Sequence, residues 1–445
     1  MPRDNPALPR VLIIGGGFAG LHCARALRNA PVSVTLIDRT NHHLFQPLLY
    51  QVATTALAPS DITAPIRWVL RDVRNVTVLL AEARTIDVDR RVVCIDDDRR
   101  ELAYDYLVVA TGARHAYFGH DDWEVHAPGL KSLDDALEIR RRFLLSFELA
   151  EKCESDAERM RHQSFVVVGG GPTGCELAGM FPELARRAFR RDFRRVDTTK
   201  TRVILIEGGP RILPTFPEGL AASAHRDLER LGVEVRTGSV VTRVDGDGVL
   251  IGTERIASHC VFWAAGNRAS SLARGLGVPV DGVGRAIVEP DLSIPGHREV
   301  FVPGDAGFSM QRNGKPVPGV APAAVQQGRA VADNIKRTLR GEPRPPFQYV
   351  NKGDLATLGR HKAVADFGWF RVSGWPAWYF WLFVHIMYLV GFRNRLSVLL
   401  EWAYAYFTYQ RGARLITGRD RGQEAARLNQ TGEDRIGTDR TPPPS

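Results

Sequence analysis

Cysteine is scarce in this chain: five residues of 445, at positions 23, 94, 153, 175 and 260. None forms a C-x-x-C pair, which excludes a disulfide framework, a zinc ribbon and a thioredoxin-type redox pair. The opening MPRDNPALPR has no apolar run, so no secretory signal is expected, and the reducing cytosolic side is the expected home. Glycine (42) and proline (27) show no period, which excludes a collagen-like chain. Acidic residues are the minority, 50 against 59 Lys plus Arg, for a net charge of +9. That sign fits an anionic membrane, nucleic acid or plain solubility, but no nucleic-acid-binding module is present. No metal site is expected. The 44% of hydrophobic residues can build cores, and the length allows two or three domains.

The plan of the chain is a repeated one. Residues 11–14 (VLII) lead into GGGFAG and then LHCARAL: a short apolar run, a glycine turn and a helical pattern. VSVTLID follows, ending at Asp38. Residues 165–168 (FVVV), GGGPTG, CELAGMFPELARR and RVILIE, ending at Glu207, repeat it. The reading is α/β, with two Rossmann-like dinucleotide-binding units. Residues 131–160 and 321–338 have helical spacing, and 233–266 read as strands and turns.

In each copy the glycines have separate duties. In Gly15-x-Gly17-x-x-Gly20 the first permits the tight turn, the second lets a pyrophosphate approach the backbone, and the third lets helix and strand pack closely. The helix start offers free N–H groups and partial positive charge to phosphate. Asp38 stands where an acid bonds ribose hydroxyls. Gly169, Gly171 and Gly174 repeat the pattern. Glu207 is the second acid, and an acid there repels a 2′-phosphate, favouring NADH over NADPH. Two such sites in one chain imply hydride passing between a resident and an exchanging cofactor.

Further strings carry a resemblance. LVVATGA (Thr111, Gly112), FWAAG (Gly266) and VFVPGDA (Asp305) resemble the two-dinucleotide-domain flavoproteins of glutathione-reductase-like fold. NHHLFQPLLYQVAT at 41–54, GGGPTGCELAG at 169–179, APAAVQQG at 321–328 and KGDLATLGRHKAV at 352–364 resemble the type II NADH:quinone dehydrogenases, over residues 10 to about 418. The resemblance implies FAD in a discontinuous domain (10–164 and 295–345) and NADH in a domain over 165–294. It places Gly15, Gly16, Gly17, Phe18, Ala19, Gly20, Asp38, Arg39, Gln46, Ala83, Thr111, Gly112, Asp305 and Ala324 with FAD. Gly169, Gly171, Gly174, Glu207 and Gly266 go with NADH. It brings Glu176 near flavin, nicotinamide and quinone as a proton relay or a positioning group, and sets Gln326 at a quinone carbonyl. The family's A-Q-x-x-x-Q reads Ala321-Pro322-Ala323-Ala324-Val325-Gln326 here, so Pro322 replaces the first Gln. The implied activity is NADH oxidation with quinone reduction and no proton pumping, by a homodimer peripheral to the cytoplasmic face of the inner membrane. Two other readings stay open: an NADH-dependent reductase of a soluble acceptor, and a nucleotide-binding redox sensor. A sulfide-oxidising use of Cys153 and Cys175 is disfavoured, since Cys175 falls inside the glycine helix and reads as a small buried residue.

The aromatic residues are unevenly placed. Of 38, sixteen fall in residues 367–409. Residues 376–392 are apolar except for His385, but as a helix would reach only about 26 Å, so a true span is marginal. Residues 396–410 have amphipathic spacing, flanked by Arg393, Arg395, Arg411 and Arg414. We read 350–418 as a monotopic membrane anchor with lipid as its partner, and 419–445 as a disordered tail. Arg186, Arg187, Arg190, Arg191, Arg194 and Arg195 read as a basic stripe along a helix.

Overall fold

The computed structural model describes residues 8–96, 100–389, 395–400, 402–403 and 413–417. The expected tail at 419–445, Arg393, Arg411 and most of the 396–410 pattern lie outside them.

The first apolar run forms the strand Arg10–Ile14, buried along nearly all its length. A strand covered on both faces reads as a continuous apolar run, as here. It pairs in parallel with Ser33–Asp38 on one side and Tyr106–Val109 on the other. Val76–Leu80 extends the sheet at one edge. At the other, the late strand His297–Phe301 pairs with Tyr106–Val109, and Ser293–Ile294 pairs with it. The 293–301 segment therefore returns to the first sheet.

The second sheet repeats this order. Ser164–Val168 lies between Arg202–Ile206 and Cys260–Trp263, and Val233–Arg236 forms the edge. In both sheets the strand feeding the glycine turn has neighbours on both sides, where the strand order reverses. Ligands bind at that point in open α/β sheets, outside the carboxyl ends of the strands. Ala113–His115 crosses to pair with Asn267–Ala269, tying the two units together.

The helical spacing over 131–160 resolves into two helices, Leu133–Lys152 and Asp156–His162. Cys153 is extended, and Ser155 caps the second helix by accepting from Glu158 N. Ser132 and Asp135 form a reciprocal capping box at the first. The buried face of the long helix carries Phe143 and Phe147. Phe143 stacks on Phe181 with centroids 4.6 Å apart and meets Phe165 at 4.7 Å. This core runs on without a break into the C-terminal residues Ala356, Leu358, Val364, Ala377 and Trp381.

Two expectations are corrected. The basic stripe is not on one helix. Pro182 lies in the last turn of Pro172–Glu183, and Leu184–Ala188 continues as a single π-turn before the backbone leaves helix. Arg186 is spent on the carbonyls of Thr201 and Leu231. The aromatic helix is also short: Trp375–Tyr388 has 14 residues, about 21 Å of rise. Among the described residues no helix is long and apolar enough to cross a membrane.

Ahead of that helix stands a three-stranded antiparallel sheet, Asp354–Thr357, Ala363–Asp366 and Arg371–Gly374, which the spacing did not announce. It presses on the helix Pro172–Glu183. A side chain at Gly179 would put its Cβ 2.7 Å from Gly359 N, so this crossing is made backbone to backbone.

Candidate functional site

The two glycine turns are built alike, atom for atom. Gly15 N donates to Ile37 O at 2.8 Å and Gly169 N to Ile206 O at 2.7 Å. Gly15 has φ +104° and Gly169 +109°. Gly16 N donates to Asp38 Oδ2 at 2.6 Å and Gly170 N to Glu207 Oε2 at 2.6 Å. The acids therefore hold the turns as well as closing their strands. A Cβ on Gly20 would sit 1.9 Å from Gly15 O, and one on Gly174 1.8 Å from Gly169 O. Gly17 and Gly171 face open space, with nothing within 4 Å of a would-be Cβ. They cap helices Phe18–Ala26 and Pro172–Glu183, whose first turns have neither a side-chain cap nor an acid. Each turn thus presents unpartnered N–H groups to an open space, the requirement for a bound pyrophosphate.

The first turn opens on a cavity of about 530 Å³. Gly15, Gly16, Gly17, Phe18, Ala19, Asp38, Arg39, Gln46, Thr111, Gly112, Asp305 and Ala324 all line it. Gly20 and Ala83 do not: Gly20 packs beneath the turn, and Ala83 begins the strand Ala83–Asp87 in the core below. The Thr111 hydroxyl is buried without a partner. An orphan hydroxyl, an acid at the strand end and an uncapped helix N-terminus together fit an adenine dinucleotide carrying a flavin. Gln327, buried, accepts from Gly304 N at 2.6 Å and donates to Ser309 Oγ at 3.0 Å, fixing the loop that carries Asp305.

A second cavity, about 320 Å³, lies between the cradles. Gln46, His115, Lys131 and Ala321 line both cavities. The second adds Gly171, Thr173, Glu176 and Gly266 from the other cradle, and Tyr50. Gly169, Gly174 and Glu207 stay outside it, around the turn itself.

Glu176 is buried, and that burial pushes its carboxyl well above the ordinary glutamate range. The backbone of Thr357, hydrogen-bonded to it, offsets only part of this. The carboxyl keeps its proton to higher pH than an exposed glutamate would.

Gln326 is not brought into either cavity. Its Nε2 donates to Val350 O and its Oε1 accepts from Val350 N, both at 3.0 Å. Its amide is a clamp between the helix Ala321–Leu339 and the C-terminal segment. Gln326→Ala is expected to remove two hydrogen bonds of about 1 kcal/mol each. It should lower the melting temperature while leaving flavin reduction and reoxidation rates unchanged in stopped flow. Pro322 sits in the first turn of that helix, where its missing N–H costs nothing.

Several residues of this region were not legible beforehand. Lys131 is half-buried between the cavities, and burial lowers its pKa while Asp305 opposes the shift. Its carbonyl accepts from Gln46 Nε2 at 2.9 Å. His43, buried, contacts Gly16 O through Nδ1 at 3.0 Å, and burial lowers its pKa. From Tyr50 a chain leads to the C-terminal segment: Gln51 Nε2 donates to the Tyr50 hydroxyl at 3.0 Å, and Trp402 Nε1 donates to Gln51 Oε1 at 2.7 Å. Cys175 is buried and its pKa raised by burial, so nothing favours its thiolate.

At the second acid, Glu207 Oε1 accepts from Gly209 N at 2.7 Å. The nearby Arg211 is held at Pro214 O, 3.1 Å away. Glu207→Gln is expected to cut the NADH-over-NADPH preference about 10-fold by removing the charge that repels a 2′-phosphate. Its KM for NADH should also rise, because one bond to the turn is lost. An unchanged ratio of kcat/KM values would remove Glu207 from the ribose position.

The chain matches the pyridine nucleotide-disulphide oxidoreductase family model over residues 9–328 and the NDH2 C-terminal domain model over 351–409. It is 45% identical over 426 residues to the type II NADH:quinone oxidoreductase NdhA of Mycobacterium tuberculosis, spanning 92% of this chain and 90% of that one. It is 30% identical over 370 residues to the type II NADH:quinone oxidoreductase of Staphylococcus aureus, spanning 80% and 89%. Among solved structures, NDH2 from Plasmodium falciparum in complex with NADH superposes with a TM-score of 0.84 at 21% identity, over 92% of this chain and all of that one.

Proposed function

The chain belongs to the type II NADH:quinone oxidoreductase family, and on that membership we propose how its residues divide the work of a flavoenzyme that oxidises NADH and reduces quinone without pumping protons. The observation that carries the reading is the cavity between the cradles, where Glu176 and Gly171 of the second cradle meet Gln46, His115, Lys131 and Ala321, which also line the first cavity. FAD, held by the first cradle, supplies a two-electron relay between nicotinamide and quinone. The Gly15–Gly20 turn and the helix start behind it take the FAD pyrophosphate, Asp38 takes the ribose, and Asp305 and Thr111 face the chain beyond it. The Gly169–Gly174 turn takes the NADH pyrophosphate, and Glu207 selects against a 2′-phosphate. Gly266 lines the shared cavity, where the nicotinamide end would enter. Glu176 holds a proton beside that cavity, where quinone reduction consumes protons. Lys131 adds a partly desolvated cation at the same junction. The domain limits follow the same division: 10–164 with 295–345 for FAD, 165–294 for NADH, and the C-terminal unit from 350 for the membrane.

Membrane association is read from the aromatic helix. Ala377, Trp381 and Ile386 face the core. Trp375, Tyr379, Phe383 and Met387 form an exposed stripe at four-residue spacing, with Phe383 63% exposed. Trp369, on the preceding turn, is 90% exposed. A contiguous aromatic patch of this kind marks an interaction surface, and a helix too short to span suits one lying in the interface. The stripe supports a peripheral protein, and we assign it to the cytoplasmic face of the membrane, where lipid-soluble quinone would reach the Tyr50 side of the cavity. Residues 395–400 are helical and expose Leu396, Leu399 and Leu400, surface available to a second copy in a homodimer.

Phe383→Glu combined with Met387→Glu is expected to lower partitioning into lipid vesicles about 10-fold or more. Turnover with a water-soluble quinone should persist. Unaltered vesicle binding would reject the stripe as the membrane face. The activity is tested by NADH consumption with and without quinone. Consumption should cease after about one NADH per flavin when quinone is withheld anaerobically. Sustained consumption without an acceptor would contradict the assignment.

A further inference from the structure

Away from both cradles, three ionisable side chains meet that the reaction does not use. Glu158 and His162 stand one turn apart on the short helix Asp156–His162, so they share a face. His259 comes from the turn between strands Glu254–Ala257 and Cys260–Trp263. One potential ligand atom from each lies within 4.8 Å of the other two. His259 Nε2 is 2.7 Å from Glu158 Oε1, and His162 Nε2 is 3.9 Å from the same oxygen. The two imidazole centroids are 4.5 Å apart.

The surroundings require positive charge at this point. His259 Nδ1 lies 3.3 Å from Gly246 O. His259 thus faces an acceptor through each ring nitrogen, a carbonyl at Nδ1 and a carboxylate at Nε2, and a neutral ring carries a proton for only one of them. A metal ion at Nε2, displacing the proton of that 2.7 Å contact as the ligands open around it, satisfies the other. Arg161 Nη1, 3.7 Å from Glu158 Oε2, balances the other carboxylate oxygen and leaves Oε1 facing the imidazoles.

We propose that Glu158, His162 and His259 bind one divalent transition-metal ion of the zinc class, with a fourth position open to water. Two imidazoles and a carboxylate are a ligand set for such an ion, whereas magnesium and calcium favour all-oxygen sites. The contact from His259 Nδ1 to Gly246 O is the outer-shell bond that orients a ligating histidine. The ion acts as a staple. The helix leads into Ser164–Val168 and His259 into Cys260–Trp263, two strands paired in parallel with Phe165 opposite Cys260. Metal joins their starts, at the end of the sheet away from Gly169 and Gly266, and so outside the path of electrons.

The test uses the full-length, flavin-loaded protein after treatment with a chelator, titrated with Zn2+ alone by calorimetry and followed by thermal unfolding. One saturable site is expected, with a melting temperature that rises on binding. His162→Gln and His259→Gln should each weaken binding about 10-fold or more and abolish the rise. NADH–quinone turnover at saturating substrate should not change. Co2+ in the unaltered protein should give the intense tetrahedral absorption to the red of the flavin band, a readout that needs no variant. No saturable site, a weak octahedral Co2+ spectrum, or variants binding Zn2+ like the parent would each overturn the proposal and leave the cluster a protonated ion pair.

Discussion

Gly174→Ala protein should be isolated yellow and stay yellow when NADH is added, whereas Gly20→Ala protein should be isolated without its flavin. Both substitutions add one methyl group beneath a turn. At Gly174 the new Cβ would lie 1.8 Å from Gly169 O, and at Gly20 1.9 Å from Gly15 O. The obstacle is a backbone carbonyl, so no side chain can swing aside, and the turn itself must move. Overpacking of this kind costs about 1–3 kcal/mol, and the displaced turn also loses the alignment of its N–H groups. A weakening of nucleotide binding by about 100-fold is expected at the affected cradle. The crossed pattern matters more than either loss. It arises only if the first turn serves the resident cofactor and the second the exchanging one. Measuring bound flavin in both variants and the KM for NADH in Gly174→Ala checks it. A Gly174→Ala protein with ordinary NADH kinetics would contradict the assignment of the second turn.

Glu176→Gln should slow reoxidation of the flavin by quinone about 100-fold while sparing its reduction by NADH. Glutamine copies the shape of the neutral carboxyl but neither takes up nor releases a proton. If Glu176 only positions its neighbours, both half-reactions should stay near parental values. Stopped flow separates the two outcomes. Stability gives an independent readout whose sign follows from burial. The folded-state pKa is raised above the ordinary 4.5. Below that range the carboxyl is neutral in folded and unfolded chains alike, and its burial carries no charge penalty. As pH rises, the unfolded chain loses the proton first, and stability falls until the folded group also ionises. Relative to the parent, Glu176→Gln should therefore gain stability from about pH 4.5 upward and none below it. A melting-temperature difference that does not vary with pH would mean that Glu176 ionises normally.

The parts of this molecule that could be read from sequence are those whose geometry is local. A buried strand, three spaced glycines, a helix and an acid at the next strand end specify one another within about 30 residues, and both copies fold as that pattern demands. Residues that depend on distant partners were not legible. Gln326 was visible as an amide, but its partner Val350 is fixed only when the C-terminal segment folds back. Lys131 precedes the helix cap Ser132 and gains its place between the cavities from the Gln46 loop, which no spacing reveals. The sheet over 354–374 lacks clean alternation because the helix Pro172–Glu183 presses on it, so tertiary contact rather than β-pattern buries it. The break after Lys152 does carry a local signal: Ser155 with Glu158 three residues on marks a new helix start. The arginine stripe failed for a local reason too, since Pro182 ends regular helix before most of those residues are reached.

Two like cradles open on adjoining cavities with a shared wall, so that reducing equivalents enter from one side and leave to quinone at the other. An anaerobic titration of the lipid-bound protein tests it most directly: NADH is added first and quinone second, while the flavin absorption is followed. NADH should bleach the band and quinone should restore it. A protein that holds no flavin, or whose band neither falls with NADH nor returns with quinone, would contradict it.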